Sequence, residues 1–152
     1  MKELILSTGK IDLISDEDGD LIELLWSDTG KYAYRTVDRT AVYLHIIIGR
    51  RMGLDSRKTV DHKDRDTYNC QCSNLREATQ SEQVANTRMR ENVSGYKGVY
   101  YDRKRQHWYA QVRRDGITIH VGCYNSSELA ARARDRVAKS MFGEFAVLNF
   151  PE

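Results

Sequence analysis

The stretch from Asp55 to Arg76 constrains the fold more than any other part of this chain. Asp, Asn, His, Ser and Arg crowd it, and its apolar anchors are few (Val60, Leu75). A segment so polar buries little surface alone, so neighbours, a metal or its own hydrogen bonds must hold it. Within it stand Val60-Asp61-His62-Lys63-Asp64, then Asn69, then Ser73-Asn74-Leu75-Arg76. Adjacent Asp and His place a hard oxygen ligand and a nitrogen base a few ångströms apart. That pairing suits phosphodiester hydrolysis, in which the carboxylate takes a metal and the imidazole takes a proton from water. Asn74, near the end of the polar loop, is placed to bond backbone groups and hold the loop shut.

The rest of the chain can supply the missing core. Apolar residues make up 40% and charged residues 30% of 152, the composition of one or two small soluble domains. No apolar run reaches the roughly 18 residues of a membrane span, and the opening MKELILSTGK lacks a secretory pattern, so no membrane is expected. Cys70, Cys72 and Cys123 are an odd count with two of them one residue apart, which points to a reducing, intracellular setting. Zinc is not expected, because Cys70-Gln71-Cys72 lacks two further ligands at suitable spacing; structural filler is the better reading of the pair. The net charge of +2 conceals an asymmetry: residues 1–28 carry a net of −6 and the remainder +8. Residues 97–114 hold Lys97, Arg103, Lys104, Arg105, Arg113 and Arg114 against Asp102 alone, a block suited to a polyanion or to a solvated surface.

The pattern before Asp55 predicts a strand-rich leader. KELILS and KIDLI read as a hairpin around Thr8-Gly9, and KYAYRTV as a further strand. SDEDGDLIELLWS reads as a helix capped by Ser15, with Leu21, Leu24 and Leu25 at helical spacing. AVYLHIIIGRRMG reads as a buried helix closed by Gly49 or Gly53, with His45 a satisfied core histidine. After Arg76 a helix is expected through ATQSEQVANTRMR, followed by the linker ENVSG.

The last sixty residues have the clearest periodicity. GVYYD, HWYAQVRR and ITIHVGCY read as three strands joined by DRKRQ and DG. Alternation turns Trp108, Ala110 and Val112 to one face, which makes Trp108 a core residue, and Tyr109, Gln111 and Arg113 to the other. NSSELAARARDRVAKSMFG reads as a capped helix whose Leu129, Ala133 and Val137 cover the apolar face. The polar, basic and aromatic face is left open.

Two resemblances follow from these residues. DHKDRDTYNCQCSNLREATQSEQVANTR resembles the HNH endonuclease family, in its intron- and phage-associated, homing-endonuclease-like branch, and the leader resembles the same group over residues 2 to 90. The resemblance implies a ββα-metal core at about 55–90, with Asp61 as a metal ligand, His62 as the general base and Asn74 as the loop-ordering asparagine. Gln83 falls where relatives carry a metal-binding Asn or His, and Asn86 matches the second Asn of that motif. Ile46 stands where relatives place Arg. The segment from Ser94 to the end is similar to the APETALA/ethylene-response-factor DNA-binding domain. That resemblance implies a sheet laid into the major groove, with Lys97, Tyr100, Gln111, Arg113, Thr118 and His120 at the matched contact positions. Lys104 and Arg105, in the turn, are expected phosphate contacts.

The expectation is therefore an α+β chain. Residues 1–91 form a ββα-metal HNH module with its strand-rich leader, and 92–152 a three-stranded antiparallel sheet packed on one helix. The expected activity is that of an intracellular DNA endonuclease acting on double-stranded DNA with magnesium or manganese, without an organic cofactor, as a monomer or weak dimer. The alternative is a non-catalytic, sequence-specific DNA-binding protein in which Gln83 has disabled the metal site.

Overall fold

The structure, a computed structural model, describes residues 1–89 and 91–151. The chain divides into two compact units, Met1–Ala78 and Thr79–Glu152.

The first unit is built from short antiparallel pairs. β1 (Lys2–Ile5) and β2 (Ile11–Ile14) form the expected hairpin, with Leu4 opposite Asp12. β3 (Ser27–Asp28), β4 (Ala33–Val37) and β5 (Thr40–Tyr43) form a three-stranded sheet in chain order. The β4–β5 turn places Asp38 and Arg39 at φ 47° and 64°, the left-handed pair of a tight hairpin. That hairpin corrects the sequence reading of AVYLHIIIGRRMG. Thr40–Tyr43 pairs with β4 as a strand, and the helix α1 begins only at Leu44 and ends at Arg51.

The acidic segment differs as well. Asp16–Glu23 is a 3-10 helix, and Ser15 makes no side-chain cap. The Ser15 hydroxyl instead accepts from the Cys72 N–H at 2.9 Å, tying the leader to the polar stretch. The helix ends at Glu23, so Leu24 and Leu25 lie beyond it: Leu21 is buried, whereas Leu25 is 93% exposed.

β6 (Thr59–His62) and β7 (Leu75–Ala78) bracket the polar loop, pairing Asp61 with Arg76 and His62 with Leu75. α1 lies close against β6 because Gly49 has no side chain; a Cβ there would stand 2.8 Å from Val60 Cγ2. Leu4, Ile14, Leu21, Trp26, Leu44, Ile48 and Leu75 make one core under these elements. At roughly 25 cal/mol per Å2 of apolar area, such side chains supply what the loop cannot.

The second unit opens with α2 (Gln80–Ala85). Thr79 and Glu82 form a reciprocal capping box at its start. The Lys97 ammonium donates to the Ala85 and Thr87 carbonyls beyond its end. The helix is shorter than the reading ATQSEQVANTRMR, which also runs onto Arg90, outside the described residues. Ala85 is buried with Val112, Ala138 and Phe142, so the contact division falls before α2 rather than at 91/92.

β8 (Val99–Asp102), β9 (His107–Arg114) and β10 (Ile117–Tyr124) form an antiparallel sheet in the order β10-β9-β8, with α3 (Ser127–Phe142) packed on it. Val99, Ala110 and Val112 are buried beneath α3. The helix face agrees with the reading given above at Ala133 and Val137 and differs at Leu129. Leu129 is 56% exposed, and Ala130, Ala131, Ala133, Ala138 and Phe142 do the packing. Small alanines let α3 approach the sheet closely where leucines would not fit.

Asp135 is buried in α3 and accepts from the Asn149 and Phe150 N–H groups, while Asn149 Oδ1 accepts from the Lys97 N–H at 2.6 Å. The closing Leu148-Asn149-Phe150 segment is thereby tied to the sheet's first strand. None of the described helices is long and apolar enough to cross a membrane.

Candidate functional site

The polar loop is closed by its own side chains. Asn74, 8% exposed, donates through Nδ2 to Asp64 Oδ1 at 2.9 Å and to the Asn69 carbonyl at 2.7 Å, and its Oδ1 accepts from the Asp64 N–H at 3.1 Å. Asp64 further accepts from Asn69 Nδ2 at 2.7 Å and from the Asp66 N–H at 2.8 Å. Burial pulls the Asp64 pKa upward, but the hydrogen bonds from Asp66, Asn69 and Asn74 outweigh it and hold the carboxyl below 3.8.

On the strand entering this loop, Asp61 and His62 are adjacent and both buried, at 6% and 5% exposure. The Asp61 carboxylate accepts from Arg76 Nε at 3.1 Å across the β6–β7 pair. Burial lowers the His62 pKa below 6.5, against the pull of Asp61, Asp64 and Asp66. The imidazole is neutral at neutral pH, the form a proton acceptor needs. Its ring lies in an aromatic cluster, 5.3 Å from His45 and 6.3 Å from Tyr32 by ring centroids. His45 packs directly on His62, and burial, then the neighbouring His62, lowers its pKa to about 4.

The two loop cysteines have different partners. Cys70 Sγ lies 3.6 Å from Asp12 Oδ2 and 3.7 Å from His62 Nε2. Cys72 Sγ donates to Asp18 Oδ2 at 3.4 Å. Glu17, Asp18 and Cys72 bring ligand-capable atoms within 4.8 Å of one another, but Arg51 already supplies a cation there, donating to Asp18 Oδ1 at 3.0 Å. Burial, then Glu17 and Asp18, pushes the Cys72 thiol up to about 11, so the metal-free thiol keeps its proton at neutral pH.

Of the sequence-predicted residues, Asp61, His62 and Asn74 lie together in the first unit. Gln83, half-buried on α2, and Asn86, buried at its end, belong to the second. The sheet residues fall as cross-strand pairs: Tyr100 opposite Tyr109, His120 opposite Gln111, and Thr118 opposite Arg113. Arg113 and Thr118 line a cleft of about 240 Å3 with Val84 and Ala85 of α2, so one end of that face borders the helix. Lys104 is exposed, and Arg105 donates to the Tyr109 hydroxyl at 3.0 Å.

Sequence reasoning missed Asp12, Cys70, His45 and Tyr32 as members of the site. A signal for Asp12 was present: an acid on the core-facing side of an apolar strand.

Residues 42–85 match the family model described as HNH endonuclease, which spans α1, the polar loop and α2. An uncharacterized HNH endonuclease of Acanthamoeba polyphaga mimivirus is 32% identical over 108 residues, covering 71% of this chain and 54% of the relative. The chain thus spans about half the length of that curated relative. No solved structure matches. Over residues 42–85 the chain is thus similar to the HNH endonuclease family.

Proposed function

We propose that this protein is a divalent-metal-dependent endonuclease hydrolysing phosphodiester bonds of double-stranded DNA. The observation that carries the reading is the buried Asp61-His62 pair, with a neutral imidazole, on a strand whose loop is closed by Asn74. In a ββα-metal arrangement, Asp61 would supply a carboxylate ligand, and the resemblance assigns Gln83 and Asn86 as amide-oxygen ligands. The donor set is all oxygen, which suits magnesium or manganese. A carboxylate has about four lone-pair sites, so accepting from Arg76 leaves Asp61 acceptor capacity for a cation. Such a cation would offset the charge that develops on the phosphate oxygens.

His62 accepts a proton from water as the water oxygen attacks phosphorus, and one ester P–O bond breaks, its sugar oxygen leaving as a hydroxyl that takes a proton from solvent. Asn74 acts through the loop, fixing the backbone on which His62 and Asp64 sit. The sheet of the second unit is the targeting surface, with Tyr100, Lys104, Arg105, Gln111, Arg113, Thr118 and His120 toward DNA. Gln and Arg are the side chains suited to bidentate reading of adenine and guanine. The resemblance adds Lys97 to this surface; its ammonium donates to the Ala85 and Thr87 carbonyls at the end of α2. The homing-endonuclease likeness belongs to this reading.

A non-catalytic DNA-binding protein is the second reading, favoured by Gln83 at a ligand position. Plasmid DNA incubated with the protein, with and without magnesium or manganese, decides between them. Cleavage that needs the metal and is lost in His62→Ala, with DNA affinity kept, is the expected result. DNA binding without cleavage in either metal supports the second reading instead.

A further inference from the structure

Resting on that nuclease reading, we propose that Cys70 and Asp12 are positioning residues for His62. The Cys70 thiol donates to the Asp12 carboxylate and its sulfur accepts from His62 Nε2–H, which fixes the imidazole in the tautomer whose basic nitrogen is Nδ1.

The geometry is a chain of three side chains. Asp12 is fully buried, with Oδ1 accepting from the Cys70 N–H at 3.3 Å and Oδ2 lying 3.6 Å from Cys70 Sγ. The same sulfur lies 3.7 Å from His62 Nε2. A thiol has one proton, and Asp12, its pKa raised to about 7, can only accept once it is ionised above that pH. Once the thiol proton points to Asp12, the imidazole faces a sulfur lone pair and must carry its own proton on Nε2. Burial, with Asp12 and the loop carboxylates Asp66 and Asp64 adding to it, pushes the Cys70 thiol far up, so the sulfur keeps its proton.

β2 delivers Asp12 to this place. The Leu13 N–H donates to the Tyr68 carbonyl at 2.8 Å, and Leu13 bridges Asn69, joining the leader strand to the polar loop. His45 and Tyr32 flank the ring as neighbours. A partner on one ring nitrogen sets which nitrogen is basic, the role an orienting carboxylate plays for other catalytic histidines. No bond is made or broken in the relay.

Long-range 15N NMR of the histidine rings reads the tautomer without reference to cleavage. The spectrum is recorded on the full chain at about pH 8.5 with the His62 signals assigned by their loss in His62→Gln. The expected parental spectrum shows protonated Nε2 and unprotonated Nδ1. Cys70→Ala should collapse this to a tautomer mixture, and Cys70→Ser, which keeps a donor and an acceptor, should retain it. Asp12→Asn should move it toward Nδ1–H, because an amide can donate to sulfur and release the thiol proton toward the ring. A parental spectrum with protonated Nδ1 overturns the proposal, and needs no variant to fold. So does an unchanged tautomer in a folded Cys70→Ala or Asp12→Asn protein.

In cleavage assays, Cys70→Ala should lose roughly 10–100-fold in kcat with KM for DNA nearly unchanged. If the tautomer signature is present and collapses in Cys70→Ala while the parent cuts no DNA, the relay stands and the nuclease reading falls.

Discussion

Asn74 and Asp64 clasp each other twice, side chain to side chain at 2.9 Å and backbone N–H to side chain at 3.1 Å. One amide thus satisfies a part-buried main-chain donor and a carboxylate together, an arrangement only a donor-acceptor side chain can make. Asn74→Ala leaves those groups unsatisfied and should cost about 1–3 kcal/mol in urea unfolding. Asn74→Asp should cost more, because it sets a second carboxylate against Asp64. Equal stability of the parent and Asn74→Asp would show that the clasp does not hold the loop.

The pH dependence of cleavage follows from His62. Its pKa lies below 6.5, and the reaction needs the neutral form. The rate should therefore rise with pH through a midpoint below that value and be level at neutral pH. Single-turnover cleavage measured from about pH 5 to pH 9 reads this limb directly. A limb centred above pH 7 would assign the base to another group.

Asp12 gives a stability signature of opposite sense to an ordinary surface acid. Burial is the main cause that raises its pKa from 3.8 to about 7, with Asp66 adding to it against the Cys70 hydrogen bonds. Between those values the folded state binds more protons than the unfolded state, so this group's contribution to stability falls as pH rises through the window. Relative to the parent, Asp12→Asn should gain stability from about pH 4 to pH 7 and no further above it, by on the order of 4 kcal/mol in all. Denaturant midpoints of both proteins across pH test this. A constant difference between them would mean that Asp12 titrates normally.

Local pattern made much of this architecture legible. The β1–β2 hairpin, the β8–β9–β10 meander and α3 are elements whose periodicity and turn residues act over a few positions. Long-range pairing hid the rest. Thr40–Tyr43 is apolar enough to read as helix, and only its register against β4 makes it a strand. Asp61, His62 and Asn74 stand out because the polar stretch has few residues of other kinds. Asp12 and Cys70 do not, because their contact spans 58 positions and neither is unusual alone. His45 reads as core from its apolar neighbours, and core packing is what places it on His62.

On the proposed DNA-binding reading of the second unit, base recognition is assigned to Arg113, exposed on β9 opposite Thr118. Arg113→Ala should weaken binding at a preferred site by about 1–3 kcal/mol and leave nonspecific binding less affected. Affinity measured over a salt series on specific and random duplexes separates these effects. An equal loss on both duplexes would make Arg113 a phosphate contact.

On the proposed metal-dependent reading, Gln83 decides whether the site favours magnesium. Its amide oxygen is one methylene further out than that of Asn, and magnesium tolerates little departure from octahedral geometry near 2.0–2.1 Å. Folding the longer side chain back costs rotamer entropy of about 1 kcal/mol. Weak cleavage in magnesium, partly rescued by the more tightly bound manganese, is therefore expected. Gln83→Asn or Gln83→His should raise the magnesium rate, and Gln83→Ala should lower it. If Gln83→Ala equals the parent while Asn86→Ala is dead, the ligand on this segment is Asn86.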